Sequence, residues 1–249
     1  MKSLNEMLKD MVDNNGSDLH LTVGSPPRIR INGDLIETGD NKLTPEHLST
    51  ILENELTEDR ISKLEVNEDV DFSIGIEGIS RFRVNIFKQR GNLAATFRRL
   101  PYKVPTLQSL NLPDIIGSLT LNKKGLILIT GGTGSGKSTT MAALIQKIAN
   151  ESKSHIITIE DPIEYLYEHS KSLVNQREVG SDTSQFKSSL KSVLRQDPDI
   201  VAIGELRDTE SMNAALTIAE TGHLVLGTLH TNNAAGTISR LINAFESDK

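Results

Sequence analysis

Three observations predict an α/β fold in two parts. Residues Gly131 to Ser138 read GGTGSGKS between a short apolar run and a stretch of helical periodicity. After Pro113, apolar runs and helical periods alternate, the pattern of a parallel sheet with helices on both faces. Before Pro101, period-two runs are mixed with short helical stretches. The expected organisation is a mixed α/β domain over 1–104, a linker over 105–113 marked by Pro105 and Pro113, and a second α/β domain over 114–249.

In the first domain, Leu4 to Val12 has the spacing of a short amphipathic helix. Asp18 to Val23 and Arg28 to Ile31 alternate as strands around the turn Gly24-Ser25-Pro26-Pro27, and Asn32-Gly33 predicts a hairpin turn. Thr44-Pro45-Glu46 opens a helix, with Thr44 as its cap and Pro45 at the first helical position. Three further strands follow at Asp71 to Ile76, Arg81 to Phe87 and Leu93 to Arg99. In Arg81 to Phe87 the period of two puts Phe82, Val84 and Ile86 on one face and Arg81, Arg83 and Asn85 on the other.

In the second domain the strands are expected at Leu126 to Thr130, His155 to Ile159, Ile200 to Ile203 and Leu224 to Thr228. Helices are expected at Thr139 to Asn150, Ser184 to Gln196 and Glu210 to Thr221. Met141, Leu144, Ile145 and Ile148 form one stripe, and Phe186, Leu190, Val193 and Leu194 another.

Composition narrows the function classes. The 249 residues contain no cysteine, which removes disulfides and cysteine zinc sites and fits a reducing compartment. No signal peptide or apolar run of about 20 residues is present, so a soluble cytoplasmic protein without a transmembrane segment is expected. The net charge of −6 is spread over both domains, which argues against a nucleic-acid partner. Within the first domain the charge is segregated: Gly78 to Pro113 holds 7 basic and no acidic residues, a positive surface suited to something negative.

The octapeptide carries the most specific chemistry. Gly131, Gly132, Gly134 and Gly136, with Thr133 and Ser135, let successive backbone N–H groups turn inward around phosphate oxygens, while the following helix aims its positive end at them. Lys137 would reach the β and γ phosphates and the Ser138 hydroxyl would hold Mg²⁺, with Thr139 next to it; the ligand expected is ATP. A dinucleotide fingerprint fails in either register, because its third glycine would fall on Lys137 or Thr139. Triphosphate hydrolysis also needs a metal-holding acid and a group that activates water, both at the carboxyl ends of strands. Glu205 stands just beyond one apolar strand, and Glu160, Asp161 and Glu164 beyond another; Asp208 has the position of a helix cap. His223 and His230 have no metal-site spacing.

Four ordered motifs resemble those of the secretion and pilus-motor ATPases: the phosphate loop, ITIEDPIE at 157–164, LRQDPDIVAIGELRD at 194–208 and AETGHLVLGTLHT at 219–231. The likeness is strongest to PilT-type retraction ATPases of type IV pili, and extends to SDLHLTVGSPPRIRING and RFRVNIF in the first domain. It implies a PAS-like first domain and a RecA-like ATPase domain, working as a cytoplasmic homo-hexamer at the inner membrane against a pilus assembly platform protein. It implies further that Glu164 activates water, that Glu205 and Ser138 hold Mg²⁺, and that His223 and His230 respond to the γ phosphate or a subunit interface. Arg81 and Arg98 match arginines inserted into a neighbouring subunit's site, with Arg83 and Arg99 as rivals. Such proteins continue past the helix matching Ala234 to Phe245, whereas the sequence stops at Lys249, so a carboxy-terminal truncation is expected. Extension and secretion ATPases, or a non-hydrolysing regulatory relative, are the alternatives. The absence of cysteine and of an extra leading domain disfavours the former, and intact Lys137, Ser138, Glu164 and Glu205 disfavour the latter.

Overall fold

The computed structural model describes residues 2–101 and 103–246; the expected outer limits at Met1 and Lys249 lie outside them. Two compact units are present, Met1–Tyr102 and Lys103–Lys249.

The first unit is a six-stranded antiparallel sheet with helices on one face, in keeping with the PAS-like expectation. Its elements are α1 (Leu4–Asp13), β1 (Asp18–Thr22), β2 (Arg28–Ile31), β3 (Asp34–Glu37), α2 (Pro45–Leu52), α3 (Glu58–Glu65), β4 (Val70–Ile76), β5 (Ser80–Gln89) and β6 (Asn92–Leu100). The strand order is β3-β2-β1-β6-β5-β4. Asn32 and Gly33 take φ of 52° and 97°, as the two-residue turn between β2 and β3 requires. Thr44 accepts from the His47 N–H and caps α2. Met7, Leu8 and Met11 of α1, Leu48 and Leu52 of α2 and Leu64 of α3 pack with Leu19, Leu21, Phe82, Val84, Ile86 and Phe97 of the sheet. The expected two faces of β5 are therefore realised: Phe82, Val84 and Ile86 are fully buried and Arg83 is exposed.

The second unit is the RecA-like arrangement, built on a parallel sheet ordered β7-β11-β10-β8-β9. It runs α4 (Asp114–Ser118), β7 (Gly125–Thr130), α5 (Lys137–Glu151), β8 (His155–Glu160), β9 (Leu173–Glu178), α6 (Phe186–Val193), β10 (Ile200–Ile203), α7 (Thr209–Glu220), β11 (Leu224–Leu229) and α8 (Ala234–Glu246). Alternate strand residues divide between two cores. Ile156, Ala202 and Leu226 meet Met141, Leu144, Ile145 and Ile148 of α5. Ile157, Val201, Ile203 and Val225 meet Leu190 and Val193 of α6 and Met212, Ala215 and Ile218 of α7. In the segment before α4, Leu107 packs against the first of these cores.

One helix end and two elements differ from expectation for local reasons. The helix expected to reach Gln196 ends at Val193, because Arg195 and Gln196 donate to the carbonyls of Ser192 and Val193 in a tightened last turn, and Asp197 then turns to φ 53° before Pro198. Strand β9 and helix α3 carry too few apolar residues to show in the sequence pattern. Among the described residues no helix is long and apolar enough to cross a membrane.

Candidate phosphate-binding and catalytic site

The parallel register brings four strand ends side by side. Thr130 of β7 is level with Leu229 of β11, and Ile203 of β10 is level with Gly227 of β11 and Ile159 of β8. Beyond that carboxyl edge come the glycine loop after β7, His230 after β11, Glu205 after β10 and Asp161 after β8. This edge is where ligands gather in open parallel sheets.

The loop between β7 and α5 is shaped by glycine. Gly131, Gly134 and Gly136 have φ of 156°, 74° and 88°, and Gly136 is the N-cap of α5. A Cβ on Gly131 would collide with the Ser135 hydroxyl, which donates to the Gly132 carbonyl at 2.8 Å. The Lys137 ammonium donates to the carbonyls of Gly131 (3.0 Å) and Gly132 (2.9 Å), so the cation is held at the loop on the first turn of the helix. Fifteen residues of α5 point their amino end at the same place, a ready seat for an anion.

Glu205 anchors a charged cluster. Its carboxylate lies 3.2 Å from His230 Nε2 and accepts from Arg207 Nε at 2.9 Å, and Arg207 also approaches Asp161 at 3.6 Å. Hydrogen bonding to Glu205 is the main cause of a raised Arg207 pKa. The strands can approach closely because Gly204 has no side chain: a Cβ there would lie 3.2 Å from the Ile159 carbonyl oxygen. Asp208 is a helix cap, accepting from the Ser211 N–H at 2.7 Å at the start of α7.

The segment after β8 carries the other acids. Asp161–Pro162 is a cis peptide. Glu160 is 6 % exposed and accepts from the Thr158 hydroxyl at 2.6 Å and from Gln176 Nε2 at 3.2 Å. Burial pushes its carboxyl up to about 7, against those two hydrogen bonds and one from the Glu164 backbone, and with help from the nearby Glu164 charge. Burial also raises the Tyr167 phenol, and Glu160 adds to the shift. Tyr165 donates from its hydroxyl to Thr139 Oγ1 at 3.2 Å, tying the segment to the first turn of α5.

The described residues contain no group of three His, Asp or Glu side chains able to cage a metal. The available donors are oxygens, the Ser138 hydroxyl and the Glu205 carboxylate. Such a set fits Mg²⁺, a hard cation that keeps several waters and shares phosphate oxygens rather than filling an all-protein cage.

Residues 1–246 match the family described as "Type II/IV secretion system protein". The chain belongs to this family. It is 43% identical over 246 residues to the Type IV pilus retractation ATPase PilT of Pseudomonas aeruginosa, a match covering 99% of this chain and 72% of that protein. It is also 43% identical over 244 residues to the Type IV pilus ATPase PilU of the same organism, covering 98% and 64%. A crystal structure of the pilus retraction motor PilT with bound ADP superposes with a TM-score of 0.93 at 49% identity, covering 98% of this chain and 71% of that one. The chain thus spans 64% and 72% of the length of the two Pseudomonas relatives.

Within this family member, the structure corrects one sequence-based expectation and adds partners to another set of residues. His223 does not join the phosphate loop of its own chain. It precedes β11, and its carbonyl accepts from Gly125 N–H at the start of β7, at the edge opposite His230. The six residues of β11 separate the two histidines, about 20 Å at the usual rise. His223 Nδ1 is instead 3.1 Å from Thr221 Oγ1 and from the Ile218 carbonyl.

In the acid-free segment, two arginines meet acids supplied by other strands. Arg98 donates from Nε to Asp18 at 2.8 Å, Arg83 pairs with Asp71 at 3.5 Å, and Arg81 contacts the Ser73 hydroxyl. Asp18 is buried, which by itself raises its carboxyl, yet the Arg98 and Ser17 hydrogen bonds bring it below the usual range. Sequence reasoning also missed Gln176 and Glu178, which bond the backbone of the segment carrying Glu164, and Thr158 and Tyr165, which bond Glu160 and Thr139.

Proposed function

We propose that the protein is a Mg²⁺-dependent ATP hydrolase that works as a homo-hexameric motor of type IV pilus retraction. The observation that carries this reading is the convergence of the Lys137 loop, the Glu205–His230 pair and the Glu160–Glu164 segment around one edge of a single parallel sheet. Its support for the retraction role is the likeness to proteins named as pilus motors over nearly the whole chain.

Loop N–H groups and Lys137 bind the phosphates of ATP, and the amino end of α5 favours their charge. Mg²⁺, held through Ser138 and Glu205, would neutralise charge on the β and γ phosphates. Glu164 takes a proton from water as the water oxygen bonds to the γ phosphorus and the bond to the bridging oxygen breaks, leaving ADP and phosphate. His230, held by Glu205, stands at the loop side of that carboxylate to sense the γ phosphate. Arg81 and Arg98 act on the nucleotide of a neighbouring subunit, a contribution of about 10³ to 10⁵ in turnover where such arginines operate. The motor is cytoplasmic, sits peripherally at the inner membrane and delivers force to the pilus assembly platform protein.

The test is Mg²⁺-ATPase activity together with ADP binding. Lys137→Ala should lose both, whereas Glu164→Gln should bind ADP as the parent does and lose turnover by at least about 100-fold. A Glu164→Gln chain that hydrolyses ATP at the parental rate removes Glu164 as the base and leaves Glu160 to be tried next.

A further inference from the structure

Strand β9 is an edge strand with a polar inner face. Gln176 stands level with Thr158 of β8, and Glu178 level with Glu160. These four side chains share one side of the two strands by the period of two. Thr158 bonds Glu160, and the other three bond the backbone of the segment that follows β8. Glu178 accepts from the Ile163 N–H at 2.9 Å, and the Glu160 carboxylate accepts from the Glu164 backbone. Gln176 accepts from the Tyr167 N–H at 2.8 Å, donates to the Tyr165 carbonyl at 2.8 Å and donates to Glu160 at 3.2 Å.

One amide therefore meets the segment on both sides of Leu166 and also holds the carboxylate on which the Glu164 backbone rests. Both donor hydrogens and the carbonyl oxygen are engaged, and a shorter or apolar side chain loses all three contacts at once. The other end of Tyr165 is fixed by its hydroxyl on Thr139, one residue after Ser138. Glu164 thus stands in a short arc pinned to β9 at one end and to the phosphate-binding helix at the other.

We propose that Gln176 is a positioning residue for hydrolysis, fixing the arc that aims the Glu164 carboxylate at the phosphate end of α5. The inference rests on the reading of Glu164 as the water-activating base. Because rate depends steeply on the placement of a reacting group, loosening the arc lowers turnover without removing any phosphate contact.

The experiment compares Gln176→Ala, Gln176→Glu and Glu164→Gln in the full chain by kcat, KM for ATP, ADP binding and amide hydrogen exchange over residues 161–168. Gln176→Glu keeps size and the acceptor for Tyr167 while losing both donors, so it reports even where the alanine variant folds poorly. For both Gln176 variants the expected result is a kcat reduced about 10-fold or more. KM and ADP affinity should stay within about threefold, with exchange accelerated across 161–168. Glu164→Gln should lose kcat with exchange unchanged, which separates failure of the base from failure of the clamp. Parental kcat in a folded Gln176→Glu chain overturns the inference, as does loss of ADP binding in step with kcat. A parental rate in Glu164→Gln overturns the base assignment, and with it the role given to Gln176.

Discussion

Replacing Glu160 by glutamine removes a titration that works against the folded state at neutral pH. Its carboxyl rises from an ordinary 4.5 to about 7 on folding, chiefly by burial. The folded form therefore holds the proton more tightly than the unfolded one. The stability contributed by protonated Glu160 is complete below pH 4.5 and is lost as pH climbs through about 7. A shift of that size corresponds to on the order of 3 kcal/mol between the two limits. Glutamine has no proton to lose and keeps an oxygen to accept from Thr158 and Gln176. The unfolding free energy of Glu160→Gln minus that of the parent should rise by about 2–3 kcal/mol from pH 5 to pH 8, most of it between 5 and 7. Urea unfolding followed by tyrosine fluorescence suits the measurement, since two of the 3 tyrosines, Tyr165 and Tyr167, flank this site and no tryptophan obscures them. A difference that stays flat across that pH range refutes the reasoning, because it means the carboxyl titrates alike in both states.

Other perturbations follow from contacts described above. Arg98→Ala leaves the buried Asp18 carboxylate without its main partner and should cost about 1–3 kcal/mol, whereas Arg83→Ala, paired with an exposed Asp71, should cost about 1 kcal/mol or less. Urea titrations of the two variants decide it, and equal losses count against a structural role for the Arg98 pair. Gly204→Ala sets a Cβ 3.2 Å from the Ile159 carbonyl oxygen and 3.3 Å from Glu160 Cα, backbone that cannot swing aside. A loss of about 1–3 kcal/mol and slower ATP turnover are expected, against a near-neutral Gly75→Ala, which meets nothing within 4 Å. Mixing an Arg81→Ala chain with a Glu164→Gln chain should recover part of the ATPase rate at hybrid interfaces; co-assembly without recovery argues that Arg81 does not act in trans.

Strong periodicity made some elements readable and its absence hid others. Strands β7, β8, β10 and β11 are apolar because both of their faces are covered, and the glycine loop is fixed by backbone conformations that few other residues adopt. Strand β9 reads LVNQRE: only Leu173 and Val174 are apolar, since its inner face serves polar partners and its outer edge is unpaired. Helix α3 buries Leu64 alone among its eight residues, too little to form a stripe. The ion pairs of the arginine-rich segment were hidden for another reason. Asp18 and Arg98 are 80 residues apart in sequence and meet only because β1 pairs with β6, so counting charge in one window misses the acids that Arg98 and Arg83 meet from other strands. The opposite placement of His223 and His230 follows from strand length, which sets their ends about 20 Å apart whatever motif they share.

Strand β11 is buried at all six positions and bonded along both edges, to β7 and to β10. His230, in contact with Glu205, sits at one tip of it and His223 at the other. The strand thus joins the tip beside the phosphate loop to the far edge of the sheet through six buried residues paired on both sides.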